Sequence, residues 1–258
     1  MVMKKIKPYQ QDMAILQALV KREIKARYKK TLMGFLWMFL TPLFQMMVIG
    51  LVFSYFIKIP NYFIFLFPGL LAWQFFANSL GKATSCFVFE RNLLRKARFS
   101  RWILPSAIVL ADFFHMLISW GIFIGVVKLF KLVAYEMSLI KIGLGLIWLL
   151  GLTLGISWLT ASLQVKYRDV KFMLKALLQL WFYATPILYS LSLIPGRLKQ
   201  LFYLNPLSSI FGLLHQSAIG EGVIEIKMLI INLVVGVVIV AIGVWAYRKT
   251  NKNFIDWL

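Results

Sequence analysis

Along the chain, long apolar runs alternate with short basic clusters. Runs without charged residues occupy 31–57, 59–81, 142–165, 176–196 and 228–247. A sixth run, 102–127, is interrupted only by Asp112 and His115. A helix needs about 20 mostly apolar residues to cross a bilayer. The pattern therefore predicts an all-α integral membrane protein with six transmembrane helices, at about 34–57, 60–82, 102–127, 142–165, 176–195 and 228–247. Pro60 and Asn61 supply the turn between the first two. No linker, low-complexity stretch or convincing repeat divides the chain, so residues 1–258 read as one transmembrane domain.

Three segments follow other patterns. In 9–30, Met13, Leu16, Leu19 or Val20, and Ile24 recur at helical spacing against Lys21, Arg22, Lys25, Arg27, Lys29 and Lys30. This predicts an amphipathic helix lying in the membrane interface, either as a basic anchor or as a docking surface for another protein. In 90–101, Leu93 and Leu94 would share one side of a short helix, with Arg91, Arg95 and Arg98 on the other. That segment is either a solvated loop or a knob on which a cytoplasmic motor pushes. The segment 197–227 is apolar for a loop and reads as two short helices split at Asn205-Pro206, the second running from about Leu207 to Ile219. Each is too short to span, which predicts re-entrant or interfacial helices between spans five and six.

Charge then orients the spans. Segments 1–30, 90–101, 166–175 and 248–258 carry 21 of the 29 Lys and Arg, while the opposite loops carry seven. Basic excess belongs in the cytoplasm, so both ends of the chain are expected there, with Lys82 at the inner end of the second span. The formal charge of +20 would suggest nucleic acid on a soluble protein. With 61% hydrophobic and 15% charged residues, membrane lipids with anionic headgroups are the expected partner instead. Lys4, Lys5 and Lys7 imitate the start of a signal peptide, but Gln10, Gln11 and Asp12 interrupt any apolar stretch, so no cleavage is expected.

No catalytic constellation emerges. Cys86 stands alone, and His115 and His215 are not spaced as metal ligands, so neither a disulfide nor a metal site is expected. Residues 81–84, GKAT, have the outline of a phosphate loop, but Phe76 stands at the first glycine position and Ala83 at the hydroxyl position. The chain is therefore expected to bind no cofactor itself and to draw any ATP energy from a partner. Asp112 and His115 share a helix face inside a span, where ionisable groups pair internally or line a polar path. Most aromatic rings suit the headgroup zone. The clusters at Trp73, Phe75, Phe76 and at Trp181, Tyr183 are denser than anchoring needs, and their flat faces would suit sugar rings.

Several strings in order resemble one family: RYKKTLMGFLW and TPLFQMMVIGLVFS within 27–54, FPGLLAWQFFANSL at 67–80, NLLRKARFSRWILP at 92–105, YRDVKFMLKALLQLWFYATPILY at 167–189 and LNPLSSI at 204–210. Together they resemble the permease subunit of ABC exporters of lipid-linked polysaccharide, the group that handles O-antigens, teichoic acids and some capsules. The resemblance covers nearly the whole chain. It implies a homodimer of six-span subunits in the bacterial inner membrane, paired with two copies of an ATP-binding subunit that holds Mg-ATP. The substrate implied is an undecaprenyl-type lipid-linked polysaccharide, with O-antigen first and teichoic acid or capsule as alternatives.

The same resemblance assigns roles to residues. Arg91, Leu94, Arg95, Lys96, Arg98, Phe99 and Arg101 would form the coupling helix, and their cations would either seat the ATPase or attract the pyrophosphate-lipid head. Lys21, Arg22, Lys25 and Arg27 would lie at the membrane surface beside the ATPase. Trp73, Phe75, Phe76, Asp112, His115, Trp181 and Tyr183 are the candidates for lining a channel, and Tyr203, Asn205, Pro206 and His215 for a periplasmic gate. The chain departs from the family in two places. Ser100 stands where proline is frequent, and His215-Gln216 where an arginine is usual. Two rivals are a small-solute secondary transporter, which would show repeats and buried acids, and a membrane enzyme, for which Tyr167-Arg168-Asp169 is the one suggestive cluster.

Overall fold

The computed structural model describes residues 8–28, 36–57, 59–96, 99–133, 137–220 and 225–250, all of them helices joined by turns. Ten α-helices follow in chain order. They are α1 Pro8–Tyr28, α2 Leu36–Phe53, α3 Tyr62–Phe89, α4 Arg91–Lys96, α5 Ile103–Leu129, α6 Leu139–Lys166, α7 Val170–Ala184, α8 Gly196–Phe202, α9 Pro206–Ile219 and α10 Ile226–Thr250. A short 3-10 turn, Leu191–Leu193, precedes α8.

Four of these, α3, α5, α6 and α10, are long and apolar enough to cross a membrane. They match four predicted spans with shifted ends. The largest shift is in α3, which continues seven residues beyond Lys82 to Phe89, so Lys82 lies within the helix and not at its end. A charge-free run marks where charge begins, and a helix can continue past that point.

The other two predicted spans are shorter as helices. The second half of 176–195 holds only the 3-10 turn, because α7 stops after 15 residues at Ala184. Pro186 explains the stop: its ring disfavours helical geometry in the residue before it, and Thr185 is extended at φ −107° and ψ 139°. Span 34–57 appears as α2, 18 residues with Pro42 inside, and turns at Ser54-Tyr55-Phe56.

Helix α3 is the axis of the bundle, with nearly three quarters of its apolar stretch buried, whereas α10 buries about a fifth. The apolar residues that α10 leaves exposed, among them Ile230, Val234, Val237 and Val238, are compatible with lipid and not with water. Helices α6 and α10 meet through small residues. A side chain on Gly155 would come within 2.7 Å of the Val240 backbone, and Gly243 faces Gly155 itself. In lipid, where apolar burial drives little association, such close approach supplies the packing contact.

Helix α1 differs from expectation in what covers it. Its apolar face does not wait for lipid: Leu16 and Leu19 are buried with Phe87, Ile103, Leu104 and Val165, and Leu93, Leu94 and Phe99 pack on the same cluster. The helix lies against α5 and covers the α4 turn.

Candidate functional site

Polar residues of α3 and α7 lie along one groove. On α3, Gln74, Asn78 and Lys82 recur every four residues, which places them on one face. On α7, Lys171, Lys175, Gln179 and Tyr183 do the same, and all four are exposed. Two cavities lie along these faces. One, of about 390 Å³, includes Arg27, Thr41, Gln74, Asn78, Lys82 and Asp112 in its lining. The next, of about 400 Å³, is lined among others by Gln45, Trp73, Gln74, Asn78, Gln179 and Tyr183. Gln74 and Asn78 border both, so the cavities adjoin, and Gln74 donates to Gln45 at 3.0 Å across the groove. Of the two, Arg27 and Lys82 line only the first cavity, Gln74 and Asn78 line both, and Trp73 and Tyr183 line only the second.

Asp112 is the hub of the charged end. Its carboxylate accepts from Arg27 of α1, from Lys82 of α3 at 3.0 and 3.1 Å, and from the Ser79 hydroxyl at 3.3 Å. Of the two readings the sequence left open for Asp112 and His115, the structure contains elements of both. Asp112 is paired internally, and both residues border the polar cavity. Arg27, expected at the membrane surface, ties α1 to Asp112 of α5.

The predicted channel-lining residues divide. Trp73, Phe75, Asp112, His115 and Tyr183 border the two cavities. Phe76 and Trp181 border neither. Phe76 is fully buried and meets Trp181 edge to face at 5.4 Å. The Trp181 indole is occupied in donating to Asn205 Oδ1 at 3.0 Å. Phe76 belongs to the core and Trp181 is partly buried against it; a dense aromatic string has the same signature whether its rings pack on one another or face a channel.

At the α1 end, α4 carries Arg91 and Leu94, with Arg95 and Lys96 completing its last turn. The predicted Arg98 lies outside the described residues. Leu94 and Phe99 pack on the cluster that buries Leu16 and Leu19 of α1, and Arg101 stands at the turn into α5. Two polar links bind this segment to α1: Arg22 to Glu90 at 2.6 Å, and Asp12 to the Ser100 hydroxyl and backbone N–H. Proline at position 100 could not supply that N–H. Burial acts to lower the Arg22 pKa, but the bonds to Glu90 and Glu23 outweigh it and raise it. Lys21 and Lys25 are exposed.

At the opposite end the gate candidates are built around two asparagines. Asn205 accepts from the Leu207 N–H, capping α9, and donates to Ala184 O at 3.0 Å and to the Thr185 hydroxyl at 3.1 Å. With the Trp181 bond, one side chain joins the end of α7 to the start of α9. Pro206 takes the first helical position, where its missing N–H costs nothing. Asn232 of α10, unremarked in the sequence, accepts from Ser209 and donates to Phe202 O and Tyr203 O. A lone amide in an apolar span was the available signal for it. Tyr203 donates to Glu225, whose carboxylate also pairs with Lys199 at 2.6 Å. His215 is buried, with its ring centroid 3.9 Å from that of Phe65. Among the described residues no three His, Cys, Asp or Glu are grouped to hold a metal ion.

An apolar bundle with a polar groove, charged at one end, defines a multi-pass membrane transporter subunit. Residues 15–218 match the ABC-2 type transporter family, and the chain belongs to it. Membership implies an ATP-binding partner subunit. The chain is 34% identical over 206 residues, 76% of each chain, to the O-antigen export system permease protein RfbA of Myxococcus xanthus. It is 27% identical over 246 residues, 95% of each chain, to an RfbA of Klebsiella pneumoniae. A second protein of that name and organism is 26% identical over 251 residues, again 95% of each chain.

Proposed function

We propose that this chain is the pore-forming permease of an ATP-driven exporter that moves lipid-linked polysaccharide, O-antigen in particular, across the bacterial inner membrane. The observation that carries the reading is the groove of α3 and α7, where cations, amides and aromatic rings follow one another through helices that are otherwise apolar. Its open side is half a pore, and a second copy of the chain closes it. The relatives named as O-antigen export permeases support the choice of substrate.

In this reading the α1 end is cytoplasmic, with α2 and α7 completing six spans and both chain ends inside. Two ATP-binding subunits, which hold the Mg-ATP, seat against 90–101 and α1. Their closure moves α4 and, through Arg22–Glu90 and Arg27–Asp112, the cytoplasmic parts of α3 and α5. The undecaprenyl-type carrier stays in lipid while its glycan passes along the amides and rings. The α8–α9 hairpin lies at the periplasmic mouth.

Deleting the chain tests the proposal. Cells lacking it should lose surface polysaccharide and accumulate it, still lipid-linked, inside, and the purified chain should bring an ATP-binding subunit with it. Unchanged surface polysaccharide in the deletion strain would remove the export reading.

A further inference from the structure

Helices α6 and α10 bound a cavity of a different kind, away from the polar groove. Trp148 lies against Gly236, and Gly155 against Gly243, so the two helices run in the same direction. They come into backbone contact at Gly155 and Gly243. Nearer their N-terminal ends they stand apart, and with Leu213 of α9 they enclose a slot of about 680 Å³. The slot shares no lining residue with the two groove cavities. Its lining is apolar throughout except for the Trp148 indole N–H. Leu144, Ile147, Leu233 and Val237 line it and are exposed, so it opens on the outer surface of the bundle.

Water needs two or more polar partners to occupy such a space, and one N–H does not supply them. A gap left empty would forfeit the dispersion contacts of its wall, which hydrocarbon from the bilayer restores. From Leu229 to Ala241, α10 rises about 18 Å, close to one leaflet, half of a hydrocarbon layer about 30 Å thick. That length suits one acyl chain, whereas a crossing helix would need a face about twice as long. At the mouth, Lys141 stands three residues before Leu144 and shares its face of α6. It is half-buried and makes no ion pair among the described residues. Glu225, just before α10, is engaged by Lys199 and Tyr203. A long basic side chain so placed lays its stem on apolar surface and holds its charge at headgroup level.

We propose that this slot binds a glycerophospholipid of the bilayer, with one acyl chain between α6 and α10 and the phosphate at Lys141. Gly151 makes room for the chain, since a side chain there would meet nothing within 4 Å. With both chain ends inside, as proposed above, the lipid belongs to the outer leaflet. The site does not depend on what is exported, so it stands or falls apart from the export reading.

The test measures the phospholipid that the detergent-purified permease–ATPase complex retains after washing, which should be stoichiometric with the chain in wild type. Gly151→Phe plugs the slot without displacing a neighbour and should lower retention by about tenfold. Lys141→Gln leaves the slot open and should lower it by about fivefold, the weight of one cation at a lipid surface. Gly121→Phe on α5, where a side chain also meets nothing within 4 Å, should retain lipid as wild type does. Unchanged retention in either of the first two variants overturns the site, and so does a polyprenyl lipid found in place of phospholipid. Should Gly151→Phe fail to assemble, the wild-type complex is reconstituted with phosphatidylethanolamine carrying a diazirine on an acyl chain. Label concentrated on Leu144, Leu233 and Val237, above the level on exposed Ile122 and Val126 of α5, supports the site. Equal label on both faces overturns it, as do crosslinks from those three residues to a second copy of the chain.

Discussion

At the α1 end, Arg22, Glu90, Arg27, Lys82 and Asp112 join helices through ions, whereas at the opposite end Asn205 and Asn232 join them through amides and backbone groups. Ion pairs with exposed members are screened by salt and can exchange partners. An amide that makes four directed bonds loses them together, and each buried group left unpaired costs about 1–3 kcal/mol. The α1 end is thus suited to being rewired by a charged partner or ligand, while the opposite end is a fixed frame.

Substitutions should separate the two ends. The largest expected effect is on activity: Arg95→Glu with Arg98→Glu should abolish export while membrane insertion persists, read as surface polysaccharide against chain in the membrane fraction. Normal export from the double variant would sink the coupling assignment. Next is stability at the amide end. Asn205→Leu should cost about 2–4 kcal/mol with little salt dependence, measured by denaturant unfolding in detergent, and wild-type stability would show that the clamp is not a frame.

Smaller effects are expected for the exposed pairs. Arg22→Glu should cost less than about 1 kcal/mol, should matter less as salt rises, and should be reversed by adding Glu90→Arg. The smallest is a pH effect. Hydrogen bonds from Lys199 and then Tyr203 hold Glu225 below its ordinary 4.5. Its contribution is therefore present above that value and fades as pH falls through the folded-state pKa. The bond to Glu225 raises Tyr203 above its ordinary 10.0, so that contribution is present below 10.0 and fades as pH rises. Unfolding midpoints of wild type should decline at both limits, and Glu225→Gln should flatten the acid limb. An unchanged acid limb in that variant would place the effect elsewhere.

The sequence was legible wherever a local rule applied. Apolar runs located the four long helices, and Asn205-Pro206 marked the start of α9 through its cap and its first proline. Thr185-Pro186 carried the stop of α7, but the count of apolar residues ran across it. The Arg27–Asp112 bond was not legible, because periodicity shows which face of α1 is apolar and not how deep the helix sits. Lys82 marks the end of a charge-free run, and the run gave no sign that α3 continues to Phe89. Phe76 and Trp181 could not be told from groove rings, whereas Gln74, Asn78 and Lys82 stood at four-residue spacing in plain view.

The early stop of α7 also bears on the lipid around it. Fifteen residues rise about 22 Å, against a hydrocarbon layer of about 30 Å. A bilayer meeting so short a helix accommodates by thinning, at a fraction of a kcal/mol per Å of mismatch. With α7 as one of the six spans proposed above, the membrane beside it is expected to be locally shallow. In this view the helix that lines the groove also shapes the solvent its cargo crosses.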